Sequence, residues 1–213
     1  MKIVLIDDHA LFRTGIATML HNLEPETESQ GFGDSTSAVD AVNNPEEVDL
    51  VLLDYHIPGT DTGNNIQTAR DYFPNAKLVI ISGEEDSGKI IKAIDCGASG
   101  FIPKSSEPQV LIAALRLVLS GGVYLPAQVL QAQPVSVQEA ASNKSALDQL
   151  TQRQQEVLKH AIYGKTNKTI ARELGLSEGT IKAHLSSAYR SLGVQKRSEA
   201  VVIASQLLDL HRG

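Results

Sequence analysis

The fold of this chain is decided by the stretch Leu50-Val51-Leu52-Leu53-Asp54, four consecutive branched apolar residues followed by a carboxylate. A continuous Val/Leu run without polar alternation is typical of a strand that is buried on both faces. Such strands occur in parallel sheets that helices cover on each side. The stretch therefore predicts a central strand of an α/β domain, with Asp54 at its carboxyl end.

Similar runs recur on either side of this strand and alternate with helical patterns. The strand-like runs are residues 3–6, 30–33, 50–53, 78–81 and 100–102. The helical patterns are residues 11–20, 38–42, 66–72, 90–95 and 108–119. Five consecutive strand–helix repeats predict a doubly wound, five-stranded parallel sheet with helices on both faces. Gly121 and Gly122 are expected to end the fifth helix, as glycine commonly does.

The pattern changes in the second half of the chain. Residues 123–143 are rich in Gln, Ala, Ser, Val and Pro and nearly free of charge, which indicates a linker with a short helix near residues 127–132. Beyond residue 146 there are only amphipathic helical segments, at residues 151–163, 167–174, 178–192 and 196–210. We therefore expect an α/β domain over residues 1–122, a linker over 123–145 and a small all-α domain of four helices over 146–213.

The charge of the chain is divided unevenly between these two domains. Residues 1–125 carry 8 Lys and Arg against 18 Asp and Glu, whereas residues 146–213 carry 10 against 6. A basic excess confined to one half indicates a nucleic-acid partner for that half. The excess is modest and does not establish DNA binding by itself.

Several classes of protein are disfavoured by the apolar and cysteine patterns. No apolar run approaches the roughly 20 residues that span a bilayer, and the first one stops at Asp7, short of the about 7 to 15 residues of a secretory signal. We expect a cytoplasmic protein that does not interact with a membrane. Cys96 is the single cysteine, so neither an internal disulfide nor a paired-cysteine metal site is expected.

Charged residues follow three of the predicted strands. Asp7 and Asp8 follow the first strand, Asp54 the third, and Lys104 the fifth. In an open parallel sheet these carboxyl ends border the crevice where ligands bind. Three crowded carboxylates repel one another, and an oxygen-liganded ion such as Mg²⁺ relieves that repulsion. With Lys104 as a second positive group and Ser82 as a hydrogen-bond donor, the crevice suits an incoming phosphoryl group.

Four features of the first domain occur together at a specific spacing. They are the pair Asp7-Asp8, the segment Asp54-Tyr55-His56-Ile57-Pro58-Gly59, Ser82 and the segment Phe101-Ile102-Pro103-Lys104. By these features residues 1–122 resemble the receiver domains of two-component response regulators, which have a flavodoxin-like fold.

The resemblance implies a role for each of these residues. Asp54 would be the phosphoacceptor, and Ser82 and Lys104 would contact the phosphoryl oxygens. Mg²⁺ would be bound by Asp7, Asp8, Asp54 and the backbone carbonyl of His56. Phe101 would be the switch residue whose rotamer is coupled to Ser82. We further hypothesise that His56 and Glu84 tune the lifetime of the phosphoryl group.

Simpler interpretations of single residues stay open at this point. Asp8 could cap a helix that begins near Ala10, Lys104 could be a surface charge, and Phe101 a core aromatic residue. The segment Thr60-Asp61-Thr62-Gly63 differs from the Met-Asp-Gly usual in receivers, and Ser82 replaces the commoner threonine. We expect retained chemistry with altered switching.

The second domain contains the pattern of a helix-turn-helix over residues 166–182. Gly175 permits a left-handed turn, and Ser177 is placed to cap the following helix. The inward face of that helix is predicted to carry Ile181, Leu185, Ala188 and Leu192. The outward face then carries Lys182, Ala183, Ser186 and Arg190. Such a helix enters the DNA major groove.

This segment and its flanks, Leu-Thr-Gln-Arg-Gln-Gln-Glu-Val-Leu at residues 150–158 and Gly-Val-Gln-Lys-Arg-Ser-Glu-Ala at 193–200, resemble the LuxR-type DNA-binding domain. With the receiver in front, the chain resembles the NarL/FixJ class of response regulators. The resemblance implies that Lys182, Ala183 and Ser186 face bases, that the last helix mediates dimerisation, and that phosphates are approached by Thr180, His184, Lys165, Lys168 and Arg190. Arg153 and Glu156 could contact DNA or form an ion pair within the domain.

These patterns together predict a two-component response regulator and DNA-binding transcription factor. A sensor histidine kinase or a small phosphodonor would phosphorylate Asp54 with Mg²⁺ as cofactor, and an active homodimer would bind promoter DNA. The alternative is an atypical regulator that binds DNA independently of phosphorylation. An enzyme is not expected, because a phosphatase with an aspartyl nucleophile would want Asp-x-Asp at a strand end and Asp7-Asp8-His9 lacks that spacing.

Overall fold

The chain forms two compact units in the computed structural model, Met1–Pro126 and Ala127–Gly213. The structure describes residues 1–24, 26–127, 129, 147 and 150–209, and the side chains of all of these except 204–209. Most of the linker predicted over residues 123–145, including the short helix predicted at 127–132, lies outside the described residues. The linker limits stay a prediction.

The first unit is built on the predicted five-stranded sheet. Its strands are β1 (Lys2–Ile6), β2 (Glu28–Phe32), β3 (Leu50–Asp54), β4 (Lys77–Ser82) and β5 (Gly100–Pro103). All neighbouring strands are parallel, in the order β2-β1-β3-β4-β5. The chain runs from β1 to one side and then to the other, so the sheet is doubly wound and its switch point lies between β1 and β3.

Five α-helices of this unit cover the two faces of the sheet. They are α1 (Ala10–Leu20), α2 (Ser35–Ala41), α3 (Thr62–Tyr72), α4 (Ser87–Asp95) and α5 (Pro108–Leu119), with a 3₁₀ turn at Pro45–Glu47. On one face, α1 and α5 pack against alternate strand residues such as Leu5, Leu52 and Val79. The intervening strand residues are equally buried, so each central strand is apolar on both sides. This confirms the fold class predicted from the continuous apolar runs.

The second strand departs from the prediction. β2 begins at Glu28 rather than at residue 30, and none of its five residues is fully buried. It lies at the edge of the sheet, where one side has no neighbouring strand, and its sequence Glu-Ser-Gln-Gly-Phe suits that half-solvated position. At the opposite edge the carbonyl of Tyr124 accepts a 3.0 Å hydrogen bond from the backbone N–H of Phe101.

The second unit contains the four predicted helices, α6 (Gln152–Ile162), α7 (Asn167–Leu174), α8 (Glu178–Ser191) and α9 (Arg197–Asp209). Three of them begin at a hydroxyl cap: Thr151 forms a capping box with Gln154, and Thr166 and Ser177 each accept a hydrogen bond from the backbone N–H three residues on. The core of the unit is formed by two apolar clusters that α8 shares, centred on Ile181 with Leu185 and on Ala188 with Leu192.

The turn between α7 and α8 depends on one glycine. Gly175 has φ +64° and ψ +35°, in the left-handed region, and directly follows the end of α7. A Cβ atom at this position would meet nothing within 4 Å, so a substitution there is penalised by backbone conformation alone. None of the helices in the described part of the chain has the length and apolar content needed to cross a lipid bilayer.

We predict that Gly175→Ala destabilises the second unit by about 1 kcal/mol, because an L-residue disfavours the left-handed conformation. The matched control is Gly179→Ala, four residues on in the first turn of α8, where a Cβ would make only an ordinary 3.7 Å contact with Ser177. This variant should be unchanged or gain about 0.5 kcal/mol. Calorimetry of the full chain compares the two, and equal stability would contradict the assignment of the turn.

Candidate functional site: an acidic pocket and an exposed helix

The carboxyl edge of the sheet brings together the charged residues that follow β1, β3 and β5. The ammonium of Lys104 lies 2.7 Å from Oδ2 of Asp7 and 2.9 Å from Oδ2 of Asp54. Both aspartates are only 3% exposed. We call Asp7, Asp8, Asp54 and Lys104 the acidic pocket. The juxtaposition predicted from strand ends 47 and 50 residues apart is therefore present, and Lys104 is not a free surface charge.

Burial and the Lys104 ammonium shift the pKa of Asp54 in opposite directions. Burial raises the pKa of Asp54, while hydrogen bonds from Lys104 and from the backbone N–H of His56 work to lower it, and the net shift is upward. For Lys104, burial lowers the pKa, but its contacts with Asp7 and Asp54 outweigh burial and raise it. The lysine therefore offsets part of the effect of burial, which favours the neutral form of Asp54.

Ligand atoms for a metal ion converge on one side of this pocket. One atom each from Asp7, Asp8, His9 and Asp54 lies within 4.8 Å of the others. Oδ2 of Asp7 is buried and accepts no hydrogen bond within the described part of the chain, because its contact with Lys104 lacks the geometry of one. A buried carboxylate oxygen without a hydrogen bond suits a hard cation. These donors could hold a metal ion.

Asp8 and His56 make contacts that the sequence did not predict. α1 is preceded by His9, which makes no side-chain cap, so the interpretation of Asp8 as a helix cap is wrong. The His9 ring instead contacts Asp8 at 2.8 Å and Asp7 at 3.2 Å, a placement that the sequence reasoning missed. His56 donates its backbone N–H to Asp54 at 3.2 Å. The role of the His56 carbonyl stays a prediction.

Ser82 and Phe101 are both buried, and Ser82 is the last residue of β4. Ser82 is 1% exposed, and its hydroxyl oxygen accepts a 3.0 Å hydrogen bond from the backbone N–H of Glu84. A hydroxyl that accepts can still donate its own proton. Phe101 is fully buried, with its ring 6.1 Å from that of Tyr55. Phe101 is thus a core aromatic, and its coupling to Ser82 stays a prediction.

A polar network joins the loops after β3 and β4 at the surface. Nε2 of His56 lies 3.3 Å from Glu84, and the ammonium of Lys89 contacts the other oxygen of Glu84. Lys89 lowers the pKa of Glu84 through this contact. The two residues hypothesised to tune phosphoryl lifetime are therefore neighbours, and Lys89 is a third member that no sequence pattern indicated.

The predicted DNA-facing residues divide into exposed and engaged side chains. Lys168, Lys182, Ala183, Ser186 and Arg190 are exposed, while the inward face of α8 is buried as predicted. Three others are half-buried: the Thr180 hydroxyl lies 2.8 Å from that of Ser177, Lys165 pairs with Glu173 at 2.6 Å, and His184 sits at the edge of the buried face. The first set could reach a groove without breaking a side-chain hydrogen bond or ion pair to the described part of the chain.

Arg153 and Glu156 form an ion pair within the unit, which was the alternative to a DNA contact. Nη1 of Arg153 donates to Glu156 at 2.5 Å, and Nη2 donates to the carbonyl of Leu174 at 2.8 Å. The second contact supplies a partner for one of the carbonyls that end α7 without an intrahelical bond. Arg153 thus ties α6 to the turn of the helix-turn-helix.

Both halves of the chain match protein-family sequence models. That of the response regulator receiver domain matches residues 3–116, and that of the bacterial regulatory proteins of the luxR family matches residues 148–204. This chain belongs to the LuxR-type two-component response regulators.

Two relatives of this response regulator match it along nearly its whole length, and a solved structure matches part of it. A glycerol metabolism activator of Pseudomonas putida is 34% identical and is covered over 96% of its length, with 97% of this chain. The nitrate/nitrite response regulator protein NarP of Escherichia coli K12 is 31% identical, over 94% of its length and 96% of this chain. A crystal structure of a LuxR family DNA-binding response regulator from Silicibacter pomeroyi is 35% identical, with TM-score 0.51, over 59% of this chain and 98% of that one.

Residues 60–63 of this response regulator differ from the Met-Asp-Gly that receivers usually have after β3. They form a set of local hydrogen bonds. Thr60 donates to the carbonyl of Ile57 at 3.0 Å and accepts from the buried amide of Asn65 at 2.7 Å. Thr62 donates to the carbonyl of Tyr55 at 2.7 Å, and Asp61 caps α3. Thr60, Asp61 and Thr62, which differ from the usual sequence, therefore fix the loop that follows Asp54.

Proposed function

We propose that a sensor histidine kinase phosphorylates Asp54 and that this modification controls dimerisation and promoter binding by this response regulator. The observation that carries the proposal is the buried Asp54 carboxylate held by Lys104 at 2.9 Å, beside two further aspartates. A structural ion pair would have no use for the excess of negative charge that the further carboxylates add.

The proposed chemistry is transfer of a phosphoryl group to Oδ of Asp54. A new Asp54 O–P bond forms while the P–N bond of a phosphohistidine, or the P–O bond of an acyl phosphate, breaks and the leaving group retains the bonding electrons. Lys104 would favour the ionised form of Asp54, which is the nucleophile, and would then offer its ammonium to a phosphoryl oxygen. Ser82, whose hydroxyl proton is not used at Glu84, would donate to another oxygen.

The acidic pocket fits Mg²⁺ as the accompanying cofactor. Asp7, Asp8 and Asp54 provide carboxylate oxygens, which Mg²⁺ prefers; Asp7 and Asp54 are buried and Asp8 is exposed. The backbone carbonyl of His56 is the fourth ligand that we propose. When bound, the ion would neutralise charge on the phosphoryl oxygens.

We propose that α8 is the recognition helix and that it enters the major groove. Its outward residues Lys182, Ala183 and Ser186 lie in the first half of the helix, the part that approaches base edges in a helix-turn-helix. Arg190 and Lys168 are exposed and cationic, as phosphate contacts require. Thr180, His184 and Lys165 remain in the proposed phosphate set, although Lys165 would have to leave Glu173.

A dimer with two such helices would engage two half-sites, and we propose the last helix α9 as the contact between the DNA-binding units.

The second candidate function is DNA binding that does not depend on phosphorylation. The complete acidic pocket favours the phosphorylation-dependent function, because such a regulator would have no need to retain Asp7, Asp54 and Lys104 together.

Incubation with acetyl phosphate and Mg²⁺ should add one phosphoryl group to the wild type, and intact-mass spectrometry measures it. Asp54→Asn should remain unmodified, because the amide is not a nucleophile, and chelation of Mg²⁺ should abolish modification of the wild type. The matched control is Asp61→Asn, which removes a nearby carboxylate but retains the cap of α3, since asparagine caps equally well. Modification of Asp54→Asn at the wild-type level would refute Asp54 as the acceptor.

Lys182→Ala should weaken binding to a specific DNA duplex about tenfold, the scale of one lost polar contact at a base edge. Lys92→Ala makes the same change of charge on an exposed position of α4 in the receiver and serves as the control for net charge. Fluorescence anisotropy at fixed salt measures both. If the two variants lose affinity equally, α8 is not the reading helix.

A further inference from the structure

The ammonium of Lys104 has a third neighbour that belongs neither to the sheet edge nor to the receiver motif. The ring of Phe12 lies with its centroid 4.6 Å from Nζ of Lys104. Phe12 is in the first turn of α1, half-buried, and packs against the apolar cluster between α1, α5 and the sheet. The ring is therefore anchored on its inner side and presents a surface to the lysine.

The surroundings of the Lys104 ammonium strengthen its attraction to the Phe12 ring. An ammonium carries three N–H groups, and two of its neighbours here are the carboxylates of Asp7 and Asp54. The Lys104 side chain is 18% exposed, so water has limited access to it. An aromatic face attracts a cation through its quadrupole, and the attraction increases as water is excluded.

The chemistry of the third neighbour matters for phosphoryl transfer. A third carboxylate would compete with the phosphoryl oxygens for the ammonium, and an aliphatic side chain would leave that side of the cation unsatisfied. An aromatic ring attracts the cation without bringing an anion. The charge of Lys104 therefore remains available to an incoming group while its position is held.

We propose that Phe12 is a positioning residue that holds the Lys104 ammonium at the acidic pocket through its aromatic face. When the Asp54 carboxylate becomes part of an acyl phosphate, it loses its negative charge and its contact with the ammonium at 2.9 Å weakens, while Phe12 and Asp7 keep the ammonium within reach of the phosphoryl oxygens. The inference rests on the proposed phosphorylation of Asp54 and adds a residue to that reaction.

The test compares Phe12→Leu with Phe12→Tyr in the full chain. Loss of a partly exposed cation–π contact corresponds to a rate reduced about two- to fivefold, so Phe12→Leu should be phosphorylated by acetyl phosphate that much more slowly. Phe12→Tyr keeps the ring and should restore the rate. In NMR spectra, ring-current shifts of the Lys104 methylene protons should be present in the wild type and Phe12→Tyr and absent in Phe12→Leu.

Phe73→Leu controls for stability, because it makes the same substitution at a position that is 1% exposed beyond the end of α3. It should unfold more readily yet keep the wild-type rate of phosphorylation. A wild-type rate in Phe12→Leu, an equal loss in Phe12→Tyr, or the absence of ring-current shifts in the wild type overturns the positioning role. A wild type that accepts no phosphoryl group refutes the proposed function itself, and the ring-current shifts then decide separately whether the Phe12–Lys104 contact exists.

Discussion

Like charges buried together at the carboxyl edge of the sheet are the constraint on which the first unit depends. Asp7 and Asp54 are nearly inaccessible to water, and one ammonium, that of Lys104, lies within 3 Å of both. Lys104 supplies one positive charge to these two buried carboxylates, and the exposed Asp8 adds a third, so the pocket carries net negative charge. A hard cation would change that balance, and so would a phosphoryl group that redistributes the contacts of Lys104. A modification of Asp54 would therefore act on the surrounding loops.

The rest of the unit holds these charges in place. Apolar strands buried on both faces supply the rigid support, and the strand order places the ends of β1 and β3 side by side. The loop after Asp54 is tied down by Thr60 and Asn65, while the loop after β4 meets it through Glu84 and His56. A change in the partners of Asp54 would therefore act on two loops that already contact each other.

Sequence alone predicted that the strand-end residues come together, because that juxtaposition depends on topology. Asp7, Asp54 and Lys104 each follow an apolar run, and parallel strands bring their carboxyl ends to one edge whatever the intervening loops. Contacts made by side chains from elsewhere were missed: Phe12 and Lys89 lie on helices, where no periodic signal shows which neighbour a side chain will meet. The edge strand β2 was placed two residues late because a half-exposed strand lacks the continuous apolar run that marks the others.

The central claim is that phosphorylation of Asp54 controls DNA binding, and one measurement addresses both steps. Duplexes selected from a random pool by the wild type in acetyl phosphate and Mg²⁺ provide a fluorescent ligand, whose anisotropy is recorded for the wild type and for Asp54→Ala with and without acetyl phosphate. The account predicts that affinity rises on treatment in the wild type only. Equal binding by both proteins, unchanged by treatment, would contradict it and establish a regulator that reads DNA independently of the acidic pocket.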